Sequence, residues 1–152
     1  MITLLGMTST GNLILVDSNI VIYSLDDGSP KSKVAKNFLE EKSLGLVLSH
    51  QTLLETYRVI THRAYPRPYT AKQAFISLQS ISEQRIIISP RENTFEITQE
   101  LILKHGLLGN KIFDAYLVAT AVSWGISTIA TDNEKDFRIF NEVKVINPFR
   151  QK

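Results

Sequence analysis

The chain has 152 residues, 43% of them hydrophobic and 21% charged, and a formal net charge of +2 at neutral pH. This length and composition are typical of one folded domain and not of a disordered segment. Cysteine is absent, which excludes disulfides, thiolate-held metals and a cysteine nucleophile, and we expect a cytoplasmic protein. The small net charge argues against a protein that coats nucleic acid in bulk.

The beginning of the chain carries no clear element of secondary structure. We expect residues 1–12 to be a flexible leader, with either Met1 or Met7 as the start of translation, and residues 13–149 to form one domain. No apolar stretch approaches the ~20 residues that a membrane-spanning helix needs. We therefore expect no association with a membrane.

Short apolar runs alternate with segments of helical periodicity along the rest of the chain. In chain order, we predict a strand at 13–16, helices at 18–25 and 30–42, a strand at 46–49, and helices at 51–63 and 71–82. A strand at 85–88, helices at 92–105 and 111–124, a strand at 126–130, a helix at 134–140 and a strand at 143–146 follow. Ser29 and Thr70 are predicted helix caps, and Gly45 is predicted to end the second helix. This order favours an α/β fold, a three-layer α/β/α sandwich around a mostly parallel sheet.

Acidic residues follow the predicted strands. Asp17 comes directly after the first strand, Asp132 and Asp136 follow the fourth, and Glu55 lies about one turn into the helix after the second. Asp114 lies near the start of the most apolar helix, where a charge is costly unless it is paired or bound to a metal. In parallel sheets function gathers beyond the carboxyl ends of the strands, so we expect these carboxylates to meet at one edge.

A group of carboxylates without a fixed cation is an oxygen-only site of the kind that Mg²⁺ or Mn²⁺ prefers. A divalent ion held in this way suits phosphoryl transfer. Taken singly, each aspartate is explained equally well as a helix cap or turn residue, and Glu55 as part of an exposed helix face. The occurrence of several acids in apolar surroundings favours the functional interpretation.

Four segments carry a resemblance to a known family: Val16-Asp17-Ser18-Asn19-Ile20, Leu53-Leu54-Glu55-Thr56, the run from Ile112 to Ala121 around Asp114, and Thr131-Asp132-Asn133-Glu134-Lys135-Asp136-Phe137. Asn147-Pro148-Phe149 closes the chain in the same pattern. Over residues 13–149 the chain resembles the PIN-domain family, in particular the single-domain VapC-type ribonuclease toxins. The third and fourth segments, in this order, are the most specific part of the likeness.

The resemblance implies a metal-dependent endoribonuclease. Asp17, Glu55 and Asp114 match three acids of the family's site, and either Asp132 or Asp136 would be the fourth. Asp17 and Asp114 would bind the Mg²⁺ or Mn²⁺ ion directly, and Glu55 and the fourth acid would orient the attacking water. Supporting polar side chains that hold the carboxylates or the water around the metal would be Ser18, Asn19, Thr131 and Asn133.

The resemblance also implies partners. A VapC-type protein would be the toxin of a type II toxin–antitoxin pair, inhibited by a small cognate antitoxin protein, and would form a homodimer. Between Glu55 and Glu83 there is no acidic residue. The predicted RNA-binding residues lie in this segment, interleaved with tyrosines: Arg58, Arg63, Arg67 and Lys72. The same segment is also explained by a solvated helix face, or by a surface that receives a protein inhibitor.

Two other functions compete with the nuclease. One is a PIN-like module that binds RNA or protein without cleavage, although acids at all four positions speak against it. The other is a phosphate-accepting receiver domain, which would need paired acids after the first strand and an exposed lysine after the last. Asp17 stands alone, and residues 143–146 offer no such lysine site.

Overall fold

A computed structural model describes residues 12–150 of the chain. The predicted leader therefore lies outside the described residues, except for Asn12. The predicted domain coincides with nearly all of the described part. None of the helices within residues 12–150 is long and apolar enough to cross a membrane.

The centre of the fold is a sheet of five parallel strands in the order β3-β2-β1-β4-β5. The strands are β1 (Leu13–Val16), β2 (Gly45–Ser49), β3 (Ile86–Ile88), β4 (Thr128–Ala130) and β5 (Lys144–Ile146). Strands β2 and β3 lie in succession on one side of β1, and β4 and β5 lie in succession on the other side. The order therefore reverses between β1 and β4, where Val16 pairs with Ala130, and crevices at such points bind ligands in α/β proteins.

Seven α-helices accompany the strands in the described part: α1 (Ser18–Leu25), α2 (Ser32–Glu40), α3 (His50–Ile60), α4 (Ala71–Ser82), α5 (Thr94–His105), α6 (Ile112–Ser123) and α7 (Glu134–Phe137). Two apolar cores result. One contains residues of α1, α2 and α4, and the other residues of α5, α6 and α7. Strand residues contribute to both cores, because the sheet is covered on both faces. The predicted α/β fold with a mostly parallel sheet is confirmed, and the sheet is wholly parallel.

Some local predictions differ from the structure. Helix α2 begins at Ser32 and not at Pro30, because the Ser29 hydroxyl accepts a bond from the Lys31 amide (3.2 Å) in a turn before the helix. Helix α3 ends at Ile60 rather than near residue 63, since the Ile60 carbonyl accepts from the Tyr69 amide instead (2.9 Å). Thr70 does cap α4, in a reciprocal capping box with Gln73.

Gly45 has a different role from the one predicted. It begins β2, where it pairs with Leu13 of β1, and the preceding helix has already ended at Glu40. A Cβ atom on Gly45 would lie 2.9 Å from the Leu13 Cδ2 atom and 3.1 Å from the Asn12 carbonyl oxygen. Glycine is favoured at this position, because a Cβ atom would force the neighbouring atoms of Asn12 and Leu13 to shift.

Candidate active site

Asp17 is held at the carboxyl end of the central strand. It is only 8% exposed and caps α1, with Oδ1 accepting from the Ser18 amide (2.8 Å). Its Oδ2 accepts from the Thr131 hydroxyl (2.8 Å) and the Asn19 side-chain amide (3.1 Å). Burial raises the pKa of Asp17 to about 6, and the charge of Glu55 adds to the rise, although bonds from Thr131 and Ser18 oppose it.

Glu55 is fixed by donors on both of its carboxylate oxygens. The Ser18 hydroxyl donates to Oε2 (3.0 Å), and the Gln51 side-chain amide donates to Oε1 (2.9 Å). Gln51 lies one turn earlier on α3, so that its side chain is adjacent to Glu55 on the helix surface. The Gln51 Nε2 atom also donates to the carbonyl of Phe113 (2.9 Å), directly before Asp114. One side chain thus ties Glu55 to the first turn of α6.

Asp114 projects from the first turn of α6 and interacts with the other acids. Partial burial, and then the charges of Asp17, Asp136 and Glu55, raise the pKa of Asp114 to about 6, against a smaller opposing effect of Lys111. Four carboxylates from four separate parts of the chain therefore meet at one edge of the sheet. Asp136 belongs to α7, and its Oδ2 accepts from the side-chain amide of Asn133 (2.7 Å).

Asp132 has different surroundings. It forms an ion pair with Lys31 and accepts bonds from the Tyr23 hydroxyl (3.2 Å) and the Asn147 side-chain amide (3.4 Å). Partial burial raises the pKa of Asp132, but the bond and charge of Lys31 outweigh this, so the pKa lies below its usual value. We expected no fixed cation near the acids. For Asp132 this was wrong, because its side chain binds Lys31.

The supporting polar residues that were predicted lie among these carboxylates. Thr131 is fully buried, donates to Asp17 and accepts from the amides of Asn19 (3.0 Å) and Asn133 (2.9 Å). Together with Ser18, these side chains connect α1, β4 and the loop before α7. Asp17 and Asp136 are thereby held in one hydrogen-bonded network.

The predicted basic residues are all exposed. Arg58 is in the last turn of α3 and lines a cavity of about 280 Å³ together with His62 and Tyr65. Arg63 and Arg67 lie in the connection between α3 and α4, and Lys72 is in the first turn of α4. The structure records no hydrogen bond or ion pair that joins these four side chains to the acids within residues 12–150. Their role in RNA binding stays a prediction.

The donor set suits a hard divalent cation that keeps much of its water. In the part of the chain that the structure describes, no three acidic or histidine side chains are close enough to hold one ion in common. Mg²⁺ is usually bound through one or two protein carboxylates, with waters and substrate phosphate completing its octahedral shell. Asp17 and Asp114 fit that requirement, because Asp17 is buried, Asp114 is half-buried, and the charge of Asp17 acts on Asp114. The buried Gln51 Oε1 atom, which has no partner among residues 12–150, adds an oxygen at this edge.

Comparison with known proteins agrees with this geometry. The model of the PIN domain family matches residues 14–143. The chain belongs to the PIN domain family. No curated protein sequence matches it.

Solved structures of PIN proteins share the fold. VapC20 of Mycobacterium tuberculosis, a sarcin–ricin loop cleaving toxin, is 20% identical, with a TM-score of 0.65 over 86% of this chain and 98% of its own. VapBC-1 of nontypeable Haemophilus influenzae is 18% identical, with a TM-score of 0.66 over 91% and 99%. A toxin–antitoxin complex from Klebsiella pneumoniae is 24% identical, with a TM-score of 0.65 over 91% and 99%. The predicted likeness to VapC-type PIN domains is confirmed at the level of the fold.

Sequence reasoning missed two side chains of this PIN domain. The role of Gln51 was not predicted, although Gln51 and Glu55 are four residues apart, the spacing at which side chains on a helix are neighbours. Lys31 was also passed over, since nothing in its local sequence connects it with Asp132, which lies 101 residues away. Only the first of these contacts has a signal within the sequence.

Proposed function

We propose that this PIN domain is a metal-dependent endoribonuclease that hydrolyses phosphodiester bonds, with Mg²⁺ or Mn²⁺ as its cofactor. The observation that carries the proposal is the meeting of Asp17, Glu55, Asp114 and Asp136 at the point where the strand order reverses. Such a concentration of negative charge opposes folding, and a bound cation or protonation offsets the repulsion, which is why clusters of this kind are typical of functional sites. Burial raises the pKa values of Asp17 and Asp114, and the charges of the neighbouring acids add to the rise.

Each acid has a separate role in this proposal. Asp17 and Asp114 would hold the ion, which would lower the pKa of water and neutralise charge on the phosphate. Glu55 is fixed by Ser18 and Gln51, and it accepts a proton from the attacking water. Asp136, held by Asn133, is the fourth acid in this proposal.

The setting we propose is a type II toxin–antitoxin pair. The VapBC-1 and Klebsiella pneumoniae structures, by their descriptions, are toxin–antitoxin assemblies, and the coverage of their toxin folds is almost complete. A cognate antitoxin would then cover the acidic edge of this protein. We also propose a homodimer, which sedimentation velocity of the purified chain would detect as a doubled mass.

The test of the nuclease is cleavage of a fluorescent RNA by the purified protein in Mg²⁺, Mn²⁺ or EDTA. We expect cleavage with either metal and none in EDTA. Asp17→Asn, Asp114→Asn and Asp136→Asn should each lower the rate by at least ~10²-fold, because a neutral amide is a poor ligand and a poor proton acceptor.

Two matched variants make the assignment specific. Asp132→Asn should lower stability through the loss of the Lys31 ion pair, yet keep most of the cleavage rate. Asp27→Asn alters an exposed acid that pairs with Lys36 and should change neither. If Asp132→Asn abolishes cleavage while Asp136→Asn does not, the fourth acid is Asp132. If all of these variants cleave like wild type, the acidic edge is not the active site.

The predicted RNA path has its own test. Replacing Arg63 and Arg67 together by alanine should weaken RNA binding and lower the slope of log K against log salt by ~0.7 for each lost phosphate contact. The binding is measured by fluorescence anisotropy at several salt concentrations. A slope equal to that of wild type would remove this segment from the path.

The alternative is a PIN-like module that binds RNA or protein without cleaving it. The intact set of four acids favours the enzyme, because a module that only binds RNA gains nothing from carboxylates that repel phosphate. Binding of RNA without cleavage in both metals would favour the module instead.

A further inference from the structure

A small cavity opens beside two of the acids. Its volume is about 190 Å³, and Asp114 and Asp136 are among its lining residues. The rest of the lining is formed by residues that no part of the proposed nuclease uses: Leu107, Lys111, Lys135, Ile139 and Phe140. At about 30 Å³ for each molecule of liquid water, this space equals roughly six waters. It is large enough for one organic group.

Two exposed lysines line this cavity. Lys111 precedes α6 and Lys135 lies in α7, and both are exposed. Neither forms an ion pair with any residue between 12 and 150, whereas Lys31, Lys36 and Lys104 all do. Lys111 is close enough to lower the pKa of Asp114 slightly. Their ammonium groups are therefore free to bind an anion next to the acids.

The remaining wall of the cavity is apolar. Phe140 (1% exposed) and Leu107 (7%) are part of the core, but Ile139 is 42% exposed. An exposed isoleucine beside two lysines and two carboxylates forms an amphipathic surface. A nucleotide matches such a surface, because the face of its base can pack against apolar carbon while its phosphate binds the ammonium groups.

We propose that this cavity binds the single unpaired nucleotide that adjoins the cleaved phosphodiester, with Lys111 and Lys135 on its phosphate and Ile139 against its base. The inference rests on the proposed nuclease and identifies part of its substrate site. The position follows from the shared residues, since Asp114 and Asp136 belong both to the acidic cluster and to the wall of the cavity. A strand bound at the acids therefore has this cavity within reach of its neighbouring nucleotide.

The experiment uses the full chain and a short single-stranded RNA labelled with fluorescein. Lys111→Ala, Lys135→Ala and the double variant are compared with Lys33→Ala, which removes another exposed lysine that lacks an ion pair within residues 12–150. Ile139→Ala is compared with Val34→Ala, since the two side chains are exposed to 42% and 40%. Binding is measured by anisotropy in the Asp17→Asn background, so that the RNA stays intact, and cleavage in the wild-type background.

We expect the double lysine variant to weaken binding by about tenfold and to lower the salt slope by ~1.4, with half of this slope change for each single variant. In cleavage, KM should rise more than kcat falls. Ile139→Ala should alter which nucleotide adjoins the cut, while Val34→Ala should not.

The outcomes separate this proposal from the nuclease. If wild type cleaves RNA but the lysine variants bind and cleave like Lys33→Ala, the cavity is not a nucleotide site and the nuclease stands. If wild type does not cleave, the proposed function fails, and with it the link between the cavity and a cut. Weakened binding by the lysine variants would then show only that the cavity binds RNA, and unchanged binding would exclude that as well.

Discussion

Gln51 shows how one neutral side chain organises charged ones. Its Nε2 atom uses both of its hydrogens, one on Glu55 and one on the Phe113 carbonyl. The first bond fixes a carboxylate on α3, and the second fixes the turn that carries Asp114. The relative position of two acids from separate helices thus depends on a residue that is itself neither charged nor reactive.

We predict that Gln51→Met, which keeps the length of the side chain but removes the amide, lowers the RNA cleavage rate by about 10–100-fold, as is typical when the partners of metal-site ligands are removed. The protein should stay folded by circular dichroism. Gln79→Met, at an exposed position of α4, is the control and should cleave like wild type. A Gln51→Met protein with the normal rate and the normal Mg²⁺ dependence would show that Glu55 needs no such support.

The connection between α5 and α6 determines where Asp114 lies. Helix α5 ends at Gly106 with φ 61° and ψ 40°, and Gly109 follows with φ 59°. Both glycines therefore adopt the left-handed region, which side chains with a Cβ atom rarely adopt. Among residues 12–150, no heavy atom beyond the glycine and its chain neighbours lies within 4 Å of a Cβ atom placed on either residue. Their requirement for glycine is conformational and not one of space.

We predict that Gly106→Ala lowers the free energy of unfolding by about 1–2 kcal/mol, the cost of a left-handed alanine. The melting temperature should fall by about 2–4 °C for each kcal/mol. Gly28→Ala is the control, because its φ is not positive and the added Cβ atom would meet only Asp26 Oδ1 at 3.4 Å. That variant should change stability by less than ~0.5 kcal/mol. Equal losses in both variants would contradict the conformational explanation.

The acidic cluster links the site to the stability of the whole molecule. A carboxyl group whose folded-state pKa is raised stabilises the folded state only while it is protonated. For Asp17 this stabilisation is fully present below the unfolded pKa of about 3.9 and is lost as the pH rises through about 6. The contribution of these carboxyl groups should therefore make the metal-free protein less stable at pH 7.5 than at pH 5.

We predict that Asp114→Asn raises the melting temperature in EDTA at pH 7.5, because it removes repulsion from Asp17, Asp136 and Glu55. In wild type, a change from pH 7.5 to 5.0 in EDTA should add roughly 1 kcal/mol through Asp17, and Asp114→Asn should gain less than wild type over this interval. At five times the Kd, Mg²⁺ should add about 1 kcal/mol to wild type, or a rise of roughly 2–4 °C. The variant should respond less.

Thermal melts of wild type, Asp114→Asn and the exposed-acid control Asp27→Asn at the two pH values would measure these differences. Asp27 has a pKa below its usual value, mainly through the bond from Lys36, so its variant should not be stabilised in EDTA. If Asp114→Asn melts below wild type in EDTA and keeps the full Mg²⁺ shift, Asp114 is a structural residue and the cluster does not repel itself.

Much of the fold was predictable because its signals are local. Strand β1 and helix α1 have the predicted bounds, Thr70 caps α4, and apolar runs identify the buried strands of a parallel sheet. The errors lie where a distant partner decides. The end of α3 depends on the Tyr69 amide, and glycine is favoured at position 45 by the approach of Leu13 from another strand. Neither partner can be identified from the neighbouring sequence.

The sequence by itself determined the class of the protein and the identity of its acids, because both depend on periodic patterns and on short motifs. The tertiary structure alone decided how Asp132 and Asp136 differ. The two residues are four positions apart. The carboxylate of Asp132 binds Lys31, directly before α2, whereas the charge of Asp136 acts on Asp114. It likewise decided that Gln51 joins two helices and that Lys111 and Lys135 share a cavity. These contacts depend on long-range packing, which places side chains together without regard to their separation in the chain.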